Sequence, residues 1–196
     1  MLRSASRDDD RKLYLDIIMR GSSRINDLIT DLLLSQEATE TKSEKYSMFQ
    51  LIEEVLSMIK DRIMLKNIVV RKDYTTLDCK IMVNKQEIII ALTNIINNAV
   101  EATSSEKGKL KLITKSINGK CVIEIIDNGI GISKENLKNI FKPYFTNKLG
   151  GMGLGLSTTL DILHSNRARI EVHSEEGIGT RFILSFEGIQ QLEELV

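Results

Sequence analysis

Leu110-Lys-Leu-Ile-Thr-Lys-Ser-Ile117-Asn118-Gly119-Lys120-Cys-Val-Ile-Glu-Ile-Ile-Asp127 decides the fold. Asn-Gly is the strongest short hairpin turn, because both of its central positions need a left-handed backbone. The pattern predicts strands over residues 110–117 and 120–127, joined directly. A last hairpin is predicted over residues 168–174 and 179–186, across Glu175-Glu-Gly-Ile178. Residues 67–74 and 79–83 also read as strands. Helical patterns lie between them. Residues 49–65 are amphipathic, and residues 85–104 carry Ile88, Leu92, Ile95, Ile96 and Ala99 on one inward face. Residues 128–152 are loop-rich, and residues 153–165 form a helix. Helices and hairpins in this order predict an α/β two-layer sandwich, with one sheet face covered by helices.

The amino-terminal stretch follows a different rule. Tyr14, Ile18, Gly21, Ile25, Leu28 and Leu32 alternate four and three residues apart, and Leu13, Ile17, Ile29 and Leu33 widen the stripe. That heptad spacing keeps one face toward a partner helix. So wide an apolar face needs a second helix, from another copy of the chain or another segment. Packing on the downstream domain is the other arrangement, and the heptad regularity favours the bundle. Residues 35–46 are polar, lack periodicity and read as a linker.

The bulk composition is that of a globular protein with a real core: 196 residues, 42% hydrophobic and 28% charged. The formal net charge is zero, so nothing in the balance asks for nucleic acid or an anionic membrane. Cys79 and Cys121 stand far apart, outside any CxxC or Cys/His cluster, and are expected to be reduced strand residues. There is no apolar run of bilayer length and no signal peptide pattern. The expectation is a cytoplasmic chain, compatible with a membrane anchor in a longer parent.

Three glycine- or amide-bearing elements carry the chemistry. In Asn94-Ile-Ile-Asn-Asn98-Ala-Val-Glu101, Asn94 and Asn98 stand four apart on one helix face. An amide oxygen is a hard, neutral ligand suited to Mg²⁺ that already carries triphosphate oxygens, and Asn98 is the choice for it. Glu101, one turn on, either joins the shell or lies on the solvated rim. Asp127-Asn-Gly129-Ile-Gly131 ends a strand, where a carboxylate can accept a hydrogen bond from an adenine amino group. Gly129 and Gly131 would let the backbone approach the purine. Gly151-Met-Gly153-Leu154-Gly155-Leu156 opens a helix, where free N–H groups and the helix dipole favour phosphate. It matches neither the P-loop nor the dinucleotide fingerprint. Lys148 just upstream can reach terminal phosphates. Phe141, Tyr144 and Phe145 bracket Pro143 and either seat a lid or belong to the core. His164, near a helix C-terminus, and His173, on the last hairpin, have no partner at ligand or triad spacing. Taken alone, each element has a bland reading as polar helix surface or ordinary turn. Together they supply what an ATP site needs.

In this order, the elements resemble the ATP-binding catalytic domain of sensor histidine kinases, in the superfamily that includes DNA gyrase, the mismatch-repair ATPase and a heat-shock chaperone. Residues 94–101 resemble its N box, residues 127–131 its first glycine box, and residues 151–156 its second. Residues 141–148 resemble the F box and lid lysine of the nitrogen-regulation and sporulation branch. Gly177-Ile-Gly179-Thr180-Arg-Phe182 resembles the closing strand motif, which puts Thr180 beside adenine. The resemblance implies the Bergerat ATP-binding fold and a site with Asn94 and Lys148 as catalytic groups. It implies ATP contacts from Asn94, Asn98, Glu101, Asp127, Gly129, Gly131, Phe145, Lys148, Gly151, Gly153, Leu154, Gly155, Leu156 and Thr180.

Residues 14–33 resemble the second helix of the dimerisation and phosphoacceptor hairpin. The organisation implied is a bundle helix over residues 1–40, a linker at 41–46, the catalytic domain at 47–188 and a tail at 189–196. The partners implied are a second copy, a phosphoacceptor helix and a response regulator. The chain departs from the family where His164-Ser-Asn replaces His-Gly-Gly, and no histidine precedes His164. The implied reaction is therefore transfer from Mg-ATP to a histidine on a supplied acceptor helix. Where superfamily ATPases carry a glutamate, this chain has Asn94, which cannot take a proton from water. A nucleotide-dependent interaction module without turnover and an anti-sigma-type serine kinase are the competing expectations.

Overall fold

The computed structural model describes residues 43–75, 78–103, 107–148 and 151–189, together with Tyr14, Ile17, Ile18 and Gly21. Its elements, in chain order, are β1 (Glu44–Ser47), α1 (Met48–Met58), α2 (Lys60–Leu65), β2 (Val69–Asp73), β3 (Lys80–Val83) and α3 (Lys85–Ala102). They continue as β4 (Lys109–Ile117), β5 (Lys120–Asp127), α4 (Lys134–Leu137), α5 (Gly155–Ser165), β6 (Arg169–Glu175) and β7 (Gly179–Glu187).

Five strands form one sheet in the order β2-β4-β5-β7-β6, while β1 and β3 make a separate antiparallel pair. The β4–β5 hairpin runs in unbroken register from Leu110↔Asp127 to Ile117↔Lys120. Its turn residues Asn118 and Gly119 have φ of 51° and 76°, as a tight hairpin of this hand demands. β7 pairs β5 and β6 antiparallel, and β2 joins β4 in parallel. Cys121, Ile123, Ile125 and Asp127 of β5 all face the helices and are buried, as are Phe182, Leu184 and Phe186 of β7. This is the two-layer α/β sandwich with helices on one sheet face.

α3 is the central helix of that layer. Ile88, Ala91, Leu92, Ile95, Ile96, Ala99 and Val100 form its buried stripe, and it packs against α1, α5 and β5. Its N-terminus is capped by Asn84, whose Oδ1 accepts from the backbone N–H of Gln86 at 3.0 Å. Asn166, at the end of α5, accepts from the Asn84 N–H at 2.8 Å, so the two helices are tied end to end.

Several boundaries differ from the sequence expectation. Residues 44–46, read as the end of the linker, are strand, because β1 pairs with β3 from Glu44↔Val83 to Ser47↔Lys80. The helix read over residues 49–65 is broken at Ile59, whose φ of −103° and ψ of 9° end α1 before α2 restarts. The loop-rich segment contains the short helix α4, capped by Ser133 Oγ. Cys79 and Cys121 are free and buried.

Tyr14, Ile17, Ile18 and Gly21 are helical, and Tyr14, Ile17 and Ile18 are 63%, 53% and 64% exposed. These apolar groups are not covered by residues 43–189. The remaining seam residues Ile25, Leu28 and Leu32, the flanking Leu13, Ile29 and Leu33, and residues 190–196 of the tail lie outside the described residues. Among the described residues no helix is long and apolar enough to cross a membrane.

Ile96 has no exposed surface, whereas Met82 is half exposed. Ile96→Ala should cost about 2–5 kcal/mol by urea unfolding, from lost transfer energy plus a cavity. Met82→Ala should stay within about 0.5 kcal/mol of wild type. Equal effects would show that α3 is not the packing centre.

Candidate functional site

The site is assembled at the C-terminal turn of α3. The last carbonyls of a helix have no partner within it, so something outside must supply donors. Here Ala102 O accepts the Ile130 N–H at 3.0 Å, which fastens the loop after β5 to the helix. Lys66, just past α2, donates to Val100 O at 2.9 Å, Glu101 O at 3.1 Å and Thr103 O at 3.3 Å. A cation there also matches the negative end of the helix dipole. Thr103 Oγ1 closes the turn on Ala99 O at 2.6 Å.

The glycines of residues 127–131 are explained by this docking. A Cβ on Gly129 would meet Ala102 O at 2.6 Å. Gly131 has φ of +67°, and a Cβ there would meet Glu175 O at 2.0 Å. The expectation was close approach to a purine. The protein's own backbone already leaves no room for a side chain at either position.

Asp127 ends β5 on the helix-facing side and is 6% exposed. Its Oδ1 accepts the Gly129 N–H at 2.8 Å, and the backbone N–H of Thr180, its register partner on β7, also donates to the carboxylate. Burial pushes its carboxyl above the usual range, and the two backbone donors only partly offset this. A carboxylate has about four lone-pair sites, so it retains acceptor capacity for a further donor. Thr180 Oγ1 lies 2.9 Å from Ser174 Oγ, which also accepts the Ile132 N–H at 2.8 Å. Thr180 and the glycine loop therefore share one anchor, Ser174. Gly179, with φ of +143°, lets β7 pass the Asp127 carbonyl.

Across α3, Asn94 Nδ2 donates to Gly155 O at 3.1 Å and Thr159 Oγ1 at 3.4 Å. The amide thus joins α3 to the first turn of α5, the helix opened by the second glycine element. Leu154 precedes that helix, and half-buried Leu156 packs on the core. Gly153, with φ of +72°, leaves no space for a Cβ, which would meet Phe145 O at 2.7 Å. Gly151 donates its N–H to Lys148 O at 3.3 Å. Phe141 and Phe145 are half-buried and Tyr144 is 77% exposed, so none of the three belongs to the core.

Lys148 was expected at terminal phosphates. Its Nζ donates to Asn98 Oδ1 at 2.6 Å and to Glu101 Oε2 at 2.5 Å. The other oxygen of Glu101 accepts from Arg62 at 2.8 Å, and Arg62 also reaches Asn97 Oδ1 at 3.0 Å. Partial burial pushes the Glu101 carboxyl up, but Lys148 and Arg62 outweigh this and hold it below the usual range. Arg62, Lys66 and Ser174 escaped the sequence reading. Only Lys66 left a signal, as a cation just after an amphipathic segment. His164 and His173 are exposed and outside this assembly, with His173 4.0 Å from Glu171.

The structure therefore joins the three elements through α3: residues 127–131 at its last turn, Lys148 at Asn98 and Glu101, and Gly155 at Asn94. Residues 84–188 match the family model described as histidine kinase-, DNA gyrase B- and HSP90-like ATPase. Sporulation kinase C of Bacillus subtilis is 31% identical over 174 residues, 88% of this chain and 40% of that protein. The signal transduction histidine-protein kinase AtoS of Escherichia coli is 31% identical over 189 residues, 94% of this chain and 30% of that protein. The chain thus spans less than half the length of these relatives. The nucleotide-free catalytic domain of histidine kinase ThkA superposes with a TM-score of 0.68 at 28% identity, over 74% of this chain and 95% of that one. ThkA in complex with response regulator TrrA gives a TM-score of 0.72 at 25% identity, over 90% of this chain and 51% of that one. The chain belongs to the histidine kinase-, DNA gyrase B- and HSP90-like ATPase family, and its relatives within it are sensor histidine kinases.

Proposed function

We propose that this chain is the catalytic core of a two-component sensor histidine kinase, binding Mg-ATP and delivering the γ-phosphoryl to a histidine on a supplied acceptor helix. The observation that carries the reading is the docking of all three motif elements on α3, with a desolvated carboxylate beside its last turn and a cation held there by the oxygens of Asn98 and Glu101. Asp127 accepts the adenine amino group, and Thr180 and Gly129 hold it in place for that contact. The loop from Gly151 to Gly155 and the N-terminus of α5 face the phosphates, where the first N–H groups of the helix favour anions. Phe145 and Leu154 flank that loop, and Leu156 seats its helix.

The residues suit magnesium. Among the described residues no three His, Cys, Asp or Glu side chains are grouped to hold a metal alone, which fits an ion that brings phosphate oxygens as its other ligands. The pair Asn98 Oδ1 and Glu101 Oε2 already seats a cation, the Lys148 ammonium. When bound, magnesium neutralises phosphate charge and aligns the triphosphate. Phosphoryl transfer needs mainly such positioning and charge compensation. Asn94 spends its amide donors on Gly155 and Thr159 and offers no base to a water molecule, which favours transfer over hydrolysis.

The exposed faces of Tyr14, Ile17 and Ile18 support a homodimer through the amino-terminal helix. The ThkA–TrrA complex supports a response regulator as the downstream partner. The relatives' names, histidine-protein kinase among them, stand against a serine kinase and against a purely non-catalytic module.

Two variants test this reading. Asp127→Asn should keep the fold by near-ultraviolet circular dichroism and weaken ADP binding about 10–100-fold by calorimetry, the worth of a hydrogen bond to a charged group. Unchanged affinity would remove Asp127 from the adenine site. Asn98→Ala should lower magnesium-dependent transfer of labelled phosphate to an added acceptor helix at least about tenfold. Its nucleotide affinity in EDTA should match wild type. Equal transfer by both proteins would end the metal assignment.

A further inference from the structure

The Glu101 carboxylate is divided between two cations, one oxygen each. Arg62 holds Oε1 at 2.8 Å and fixes its own position on Asn97 Oδ1 at 3.0 Å. Lys148 takes Oε2 at 2.5 Å and Asn98 Oδ1 at 2.6 Å. The two oxygens facing Lys148 come from one helix face, a turn apart, and converge on a single point. Magnesium would need that same pair at about 2.0–2.1 Å. An ammonium nitrogen already within 2.6 Å of both oxygens leaves no room for it, and two cations at that separation repel.

We propose that Lys148 and magnesium exchange on the oxygens of Asn98 and Glu101. Without nucleotide, the lid lysine is latched onto the metal seat. Arrival of the metal–nucleotide complex expels it and frees the lid. The inference rests on reading Asn98 as the metal residue, and it adds that the seat and the lid latch are one object. Arg62 is the positioning residue of the device. By occupying Oε1 it stops the carboxylate from turning both oxygens onto Lys148, so the latch stays a single-oxygen contact.

The geometry of the lid suits this role. Among the described residues, Lys148 is the one side chain of residues 141–148 that hydrogen-bonds to α3. Its backbone is held only locally, its N–H donating to Thr146 Oγ1 at 3.0 Å and its carbonyl accepting from Gly151. The side chains of Lys148 and Glu101 are 50% and 35% exposed, so water screens the pair. A screened ion pair is weak, and a divalent ion carrying phosphate oxygens can displace it. A fully buried pair would not release so readily.

The test uses the full chain with ADP, which lacks the γ-phosphate and so removes any contact of Lys148 with that group. Calorimetry of ADP binding across a magnesium series gives the midpoint of the metal dependence. Lys148→Met should lower that midpoint by about threefold or more, because the seat no longer has a competitor. An unchanged or raised midpoint overturns the exchange while leaving the nucleotide site intact. No ADP binding by wild type at any magnesium concentration would overturn both readings together.

Limited trypsinolysis of nucleotide-free protein supplies a readout that needs no ligand. Lys142 precedes Pro143 and resists trypsin, so Lys148 is the one lid residue at which the enzyme cuts. Glu101→Gln should speed cleavage after Lys148 several-fold, with Arg62→Gln changing it less. Equal cleavage in wild type and Glu101→Gln means that no latch exists.

Discussion

Everything at the site is referenced to the unsatisfied carbonyls at the end of α3. A helix terminus buried in a fold must find donors, and this one finds them in the Ile130 N–H and the Lys66 ammonium. The first bond brings the loop after β5 to the helix, with Gly129 pressed on Ala102 too closely for any side chain. The second fastens the end of α2 to the same turn. Because Asn94, Asn98 and Glu101 project from that helix and Asp127 begins the docked loop, a requirement of backbone chemistry sets the spacing between the motif elements. The start of α5 is fixed from the same helix by a side chain. Asn94 holds Gly155 O, so α5 starts at a defined place relative to α3.

Among the described residues, three carboxyl groups are displaced from their ordinary titration range, and the displacement alone does not find the site. Glu124 is 4% exposed on the sheet face away from the helices, between Lys115 at 2.8 Å and Arg181 at 2.7 Å. Burial raises its carboxyl, and the two cations more than offset that, so it stays ionised. All its strong interactions are with strand neighbours, the cross-strand pairing that stabilises a sheet. Glu101 has the same signature, two cations on one carboxylate, but one of its cations belongs to the glycine-bordered lid. Asp127 has the opposite signature: burial with only backbone donors. A carboxylate without a cation keeps its charge for a neutral donor such as an adenine amino group. Location and partner type separate these three roles.

The sequence made the hairpins and the inner face of α3 legible because local rules determine them. Asn118-Gly119 admits few other conformations, and Ile88, Leu92, Ile95, Ile96 and Ala99 are spaced for one helical face. β1 was not legible. Glu44-Lys-Tyr46 has no apolar alternation, and it is a strand only because β3, more than thirty residues away, offers a register. The break at Ile59 was equally hidden, since no proline or glycine marks it. In the candidate site, Asp127, Asn98 and Lys148 stand out in the sequence by residue type and spacing, but their connections do not. Arg62 and Lys66 look like solvated charges on a polar helix until α2 is seen beside the end of α3. The chemistry of Lys148 points to phosphate, and no local rule announces its hydrogen bonds to Asn98 and Glu101.

The contact of Lys148 with α3 follows from charge. The oxygens of Asn98 and Glu101 converge on one point of the helix, and the ammonium of Lys148 meets both. Glu101 is partly desolvated, and Lys148 and Arg62 together hold its carboxyl below the usual range. Lys148 reaches Glu101 from a segment that packs against Gly153, where a side chain would meet Phe145 O. One ion pair, screened because both side chains are partly exposed, thus gives an exposed segment a defined contact with the helix that orders the rest.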